Sequence, residues 1–142
     1  MFDELKKYEN SDHFFVTSKV ELEDVCNAPK NGSGVYVVYE LKNGRIDLVY
    51  IGSSGKVQSN GKIQHSEDGL YGEIVSGVRL GKTGRRSSWK QKVIREKIDA
   101  LDVYWFETIN ADAHDIPSYV EATIMQRFYE LYGRLPRWNR EF

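Results

Sequence analysis

Residues 34–53, GVYVVYELKNGRIDLVYIGS, hold two β-type runs on either side of an Asn-Gly pair. The runs, Gly34 to Leu41 and Ile46 to Ser53, are dense in Val, Ile and Tyr, which fit a pleated, half-buried surface. Asn43-Gly44 admits positive φ, so the segment is predicted to be a β-hairpin. Loop length decides where Tyr36 and Tyr50 point. A two-residue loop pairs Tyr36 with Ile51 and sends the two tyrosines to opposite faces. A three-residue loop, Lys42-Asn43-Gly44 with Gly44 left-handed, pairs Tyr36 with Tyr50 on one face. The three-residue loop is the expectation.

Toward the N-terminus, Met1 to Asn10 reads as a short helix or a frayed start, and Phe14-Phe15-Val16 is a brief apolar run. Ser18 and Glu21 have capping-box spacing, which predicts a helix over Lys19 to Cys26. The breaker-rich stretch Asn27 to Gly32 then leads into the hairpin. Beyond the hairpin, Ser53 to Asp68 is a long polar loop or a small ribbon. Leu70, Ile74 and Val78 mark a helix that Gly81-Lys82-Thr83-Gly84 ends. Ser87 or Ser88 can cap a second helix from Trp89 to Ile98, and Leu101 to Ile109 is a strand buried on both faces. A last helix begins at Pro117, carries the stripe Val120, Ile124, Phe128 and Leu131, and stops at Gly133. The tail LPRWNREF is apolar enough at Leu135 and Trp138 to pack back. The order β-β-α-α-β-α predicts a small α/β (α+β) fold with helices flanking a three-stranded, mostly antiparallel sheet. The chain reads as one domain, with an N-terminal extension (1–31) before a core (32–142).

With 142 residues, 40% hydrophobic and 29% charged, the chain has the composition of a soluble globular domain able to bury one core. No apolar run approaches a membrane span, and Met1-Phe2-Asp3-Glu4 begins no signal peptide; a cytoplasmic protein is expected. The single cysteine, Cys26, excludes an internal disulfide and multi-cysteine metal sites, and reads as a buried thiol. A net charge of −1 means that any DNA-binding surface must come from local segregation of charge. Such segregation is present. Arg79, Lys82, Arg85, Arg86, Lys90, Lys92, Arg95 and Lys97 form a basic block with Glu96 the only acid among them, whereas acids gather near the N-terminus and in Glu107 to Asp115. Glycines and serines beside these charges bring backbone amides and flexibility suited to phosphate contact, with Lys82, Arg85, Arg86 and Lys90 the candidates.

Gly34-Val35-Tyr36 followed by Tyr50-Ile51-Gly52, a lone carboxylate Glu121 on a later helix, and the closing Leu135-Pro136-Arg137-Trp138-Asn139 together resemble the GIY-YIG nuclease family, over roughly Pro29 to the C-terminus. The resemblance implies a metal-dependent DNA endonuclease, with Mg²⁺ or Mn²⁺ as cofactor and DNA, in duplex form, as partner. At this size it is closest to small restriction-type or stand-alone members. Within it, Tyr36 is the general base that takes a proton from the attacking water, and Tyr50 orients water or phosphate. A phenol with its ordinary pKa near ~10 does this near neutral pH only if cations lower that value. Glu121, on the edge of its helix's buried stripe, is the metal ligand. Gly52 and Asn139 have supporting places, and His65 is the candidate for lowering a tyrosine pKa, with Lys56 and Lys62 as alternatives. His13 and His114 have no such context.

The chain departs from the family at one slot. Where an arginine is expected on the first helix after YIG, the sequence has Glu73, and a carboxylate repels phosphate. Either Arg79, nearly two turns later, takes the phosphate-holding role, or the chain is an impaired nucleic-acid-binding domain on the same scaffold. A plain structural or protein-interaction domain is the third reading.

Overall fold

A computed structural model of the chain describes residues 2–77 and 85–142, with the backbone alone for 85–87. The hairpin comprises β2 (Ser33–Lys42) and β3 (Arg45–Ser54). It closes differently from the expectation. Lys42 pairs with Arg45, so the loop is the two-residue Asn43-Gly44, with φ of 52° and 74°. Asparagine tolerates the left-handed region almost as glycine does, and two such residues give the turn whose twist matches the strands. The register then slips by one residue at Val38/Tyr39: Tyr39 faces Leu48 but Val38 faces Tyr50. This β-bulge gives Val49 and Tyr50 one shared partner and turns both toward the same core. Tyr36 accordingly pairs with Gly52 rather than with Tyr50, and the tyrosines share a face as diagonal neighbours.

Among the described residues the sheet has four strands, not three, in the order β1 (Ser11–Val16), β6 (Ala100–Ile109), β2, β3, and every pairing is antiparallel. The extra strand is β1, which lies against β6 in register with it. The fold is thus mixed α and β as expected, and residues of the N-terminal extension complete its sheet. Ser53–Asp68 forms a small ribbon, β4 (Lys56–Val57) with β5 (Ile63–Gln64).

Two apolar layers sandwich the sheet. On the first face Tyr36, Val38, Tyr50, Leu101 and Val103 pack against α2 (Gly69–Ser76), α3 (Arg85–Arg95) and Trp138. On the second face Val35, Val37 and Ile51 pack against α4 (Pro117–Tyr132) and the N-terminal 3-10 turn Asp3–Leu5. The last helix starts at Pro117 and stops at a left-handed Gly133 whose N–H bonds Tyr129 O, as the sequence implied. Its stripe is shorter than expected, since Leu131 is exposed while Met125 is buried. Two other helices differ. α1 is only Leu22–Val25, with Glu21 rather than Ser18 at its N-cap, and α3 begins at Arg85, which puts Ser87 and Ser88 inside it. Cys26 is half-buried. Among the described residues no helix is long and apolar enough to cross a membrane.

Candidate functional site

The Tyr36 ring lies across the backbone of Gly52. A Cβ built on Gly52 would stand 2.5 Å from the Tyr36 hydroxyl oxygen, so only glycine leaves room for the phenol there. The Tyr50 ring stacks near it, with centroids 6.0 Å apart and planes inclined by 29°. Tyr36 has no exposed surface and Tyr50 only 4%. The structure therefore gathers Tyr36, Tyr50 and Gly52 on the first face, beneath α2, α3 and Trp138.

Glu121 arrives from the other side. It lies in the second turn of α4, buried, and its Oε1 accepts a 2.7 Å hydrogen bond from Ser53 Oγ. Ser53 pairs with Val35, whose side chain belongs to the second core, and it directly follows Gly52. The carboxylate and the tyrosine pair thus converge on successive residues of β3 from opposite faces. Among the described residues no group of three or more His, Cys, Asp or Glu side chains could hold a metal. Glu121 and Ser53 together offer a carboxylate and a hydroxyl, both hard oxygen donors. Magnesium is commonly held in that manner, by one carboxylate with water and phosphate oxygens filling the remaining positions.

Asn139 fastens the free edge of β3. Its Oδ1 accepts from Ile51 N–H and its Nδ2 donates to Ile51 C=O, both at 3.0 Å, while Trp138 N–H donates to Val49 C=O at 3.0 Å. The tail covers an edge strand that would otherwise present unpaired backbone groups. It also pins the residue between Tyr50 and Gly52. Arg137 anchors the same segment by bridging Glu40 and Glu96 at 2.5 Å each, with its guanidinium against the Trp138 ring.

The remaining candidates are more scattered. His65 is exposed and its Nδ1 lies 2.6 Å from Ser33 Oγ, at the start of β2, while Lys56 and Lys62 are exposed on the ribbon. Glu73 is half-buried and lines a groove of about 480 Å³ with Glu67, Asp68, Gly72 and Ser76; neither tyrosine borders it. Arg79 and Lys82 lie outside the described residues, and Arg85 and Arg86 form the first turn of α3. Lys90 is engaged by the protein itself, 2.5 Å from Glu21, and Lys92 lies over the Trp138 ring at 5.1 Å.

Three partners escaped the sequence reading: Ser53 for Glu121, Ser33 for His65, and Asp102 for His13, whose Nδ1 lies 2.8 Å from Oδ1. The first two had a faint signal, because serines flanking buried strand segments need partners. The third joins residues 89 apart in sequence and depends wholly on strand register. Comparison with protein-family models, with curated proteins and with solved structures yields no match.

Proposed function

We propose that this protein is a metal-dependent DNA endonuclease of the GIY-YIG kind, hydrolysing phosphodiester bonds with Tyr36 as general base. The observation that carries this is the Tyr36–Gly52–Tyr50 arrangement. A bulge sets both phenols on one face, and the missing side chain of Gly52 makes space for the Tyr36 hydroxyl. Phenylalanine at position 36 would fill the same space without the hydroxyl. On this reading Tyr50, stacked beside Tyr36, orients water or a phosphate oxygen. Glu121 is the residue to hold Mg²⁺ or Mn²⁺, which when bound would supply positive charge to the phosphate and the leaving oxygen. Asn139 holds the Ile51 backbone between the two functional positions of β3.

A second reading is favoured by two observations: Tyr36 is closed to solvent, and the slot expected to bind phosphate carries Glu73 beside Glu67 and Asp68. On that reading the scaffold binds nucleic acid with little or no catalysis. Supercoiled plasmid with Mg²⁺ or Mn²⁺ separates the two. Nicking by the native protein that disappears in both Tyr36→Phe and Glu121→Ala supports the nuclease. Nicking only in Glu73→Arg supports a disarmed site. Cutting that persists in Tyr36→Phe removes Tyr36 from the role of base.

A further inference from the structure

A second concavity lies on the sheet face opposite the tyrosine pair, between the 3-10 turn and strands β2 and β6, with a volume of about 370 Å³. Its walls are apolar where Phe2, Leu5, Val37 and Phe106 meet. One corner is built from two phenols. Tyr39 and Tyr104 stand edge to face, centroids 5.7 Å apart and planes at 84°. The outer side of Tyr104 is braced by His13, stacked at 4.7 Å with an interplanar angle of 9°. Asp102 lies in the same lining, directly opposite Tyr39 in the strand register, with its side chain only 12% exposed.

Among the described residues Asp102 is the carboxylate of this lining that no lysine or arginine pairs. Lys6 and Asp3 also border it, but they pair with each other at 3.1 Å and are 80% and 83% exposed, so they cancel at the rim. From outside this lining, His13 bonds Asp102 through Nδ1. The Tyr104 hydroxyl also bonds this carboxylate, which has about four acceptor sites and is not exhausted by two partners. Burial, with Asp102 close by, raises the pKa of both Tyr39 and Tyr104, so the phenols stay neutral and present electron-rich faces. A buried carboxylate beside an aromatic corner attracts a cation twice, through its charge and through the ring quadrupoles. The apolar walls have room for an uncharged arm.

We propose that this concavity is a binding site for a small organic ammonium ion with an apolar arm, its nitrogen held by Asp102 against Tyr39 and Tyr104 and its arm lying along Phe2, Leu5 and Phe106. The site is independent of the proposed nuclease chemistry and shares none of its residues. The test compares phenylpropylammonium with phenylpropanol, which keeps the skeleton and replaces the ammonium by a neutral hydroxyl. Titrations followed by amide chemical shifts read both affinity and location. Saturable binding with shifts confined to the segments around Leu5, Val37–Tyr39 and Asp102–Phe106 is expected, with the alcohol at least about tenfold weaker. Asp102→Asn should lose a similar factor, whereas Asp3→Asn at the rim should lose less than about twofold. Equal affinity for ammonium and alcohol, shifts that map elsewhere, or no binding of the ammonium overturns the proposal. The comparison of the two probes on native protein decides the matter even if Asp102→Asn does not fold.

Discussion

Gly52 and Tyr36 have to be understood together. The glycine of the second motif is needed because the phenol of the first occupies its side-chain space, with a built Cβ 2.5 Å from the hydroxyl oxygen. Gly52→Ala should therefore destabilise by about 1–3 kcal/mol, the usual range for overpacking a filled core. Tyr36→Phe removes only the polar atom and should cost on the order of 1 kcal/mol. Urea denaturation of the two variants checks the order; an alanine variant as stable as the native protein would mean that the ring can move aside freely. Cys26 provides a second residue-scale outcome. Burial raises its thiol from 9.0 to about 11, although the Ala28 backbone opposes the shift. A raised pKa is stabilising below the unfolded value, and that contribution fades as pH climbs from 9.0 toward 11. At about pH 8 the folded thiolate fraction is on the order of a hundredfold below that of the unfolded chain. Iodoacetamide should accordingly label Cys26 slowly until urea is added, and fast labelling of native protein would contradict the burial.

Sequence punctuation located the hairpin and the last helix, whereas the Ser18–Glu21 capping-box spacing and the serines at 87 and 88 misplaced two helix starts. Asn43-Gly44 announced the hairpin, and Pro117 with Gly133 bracketed α4. β1 was missed because only Phe14 and Val16 of its six residues are buried, while Phe15 is 50% exposed, which masks the alternation. The bulge at Val49 and Tyr50 was missed for a different reason. A one-residue slip is set by which side chains the two cores need, and that depends on helices far along the chain. The expectation that the tyrosines share a face was right, although loop length is not the cause. The tail is the element whose role can be tested most directly. Asn139→Ala leaves Ile51 N–H and C=O without their partner and should cost about 1–3 kcal/mol. Asn139→Asp keeps the acceptor for Ile51 N–H and loses the donor, so it should fall between alanine and native in thermal denaturation. Equal loss in both variants would mean that side-chain volume, not the paired bonds, holds the tail.

For the whole molecule, the layout of charge connects fold to proposed partner. The acidic N-terminal region is fastened to the loop after β6, where Tyr8 donates a 2.5 Å bond to Asp115 and Lys7 pairs with the same carboxylate at 2.9 Å. The Tyr8 bond, then Lys7, lowers the Asp115 pKa below 3.8, so its stabilisation holds above the unfolded value and vanishes as pH falls through the lower folded value. The opposite flank carries the basic helix α3. Part of its charge is committed internally, with Lys90 bound to Glu21 and Lys92 resting on Trp138. If DNA lies along this helix, Arg85 and Arg86 at its first turn carry the larger share of the contact. Each phosphate neutralised adds about 0.9 to the slope of log affinity against log salt. The double reversal Arg85→Glu with Arg86→Glu should therefore flatten that slope by about 2 and weaken duplex binding at low salt, without moving the urea midpoint. Fluorescence anisotropy across a salt series measures it. An unchanged slope would take DNA off this flank, and Glu121 would then have to be sought on a DNA path that runs past α4 instead.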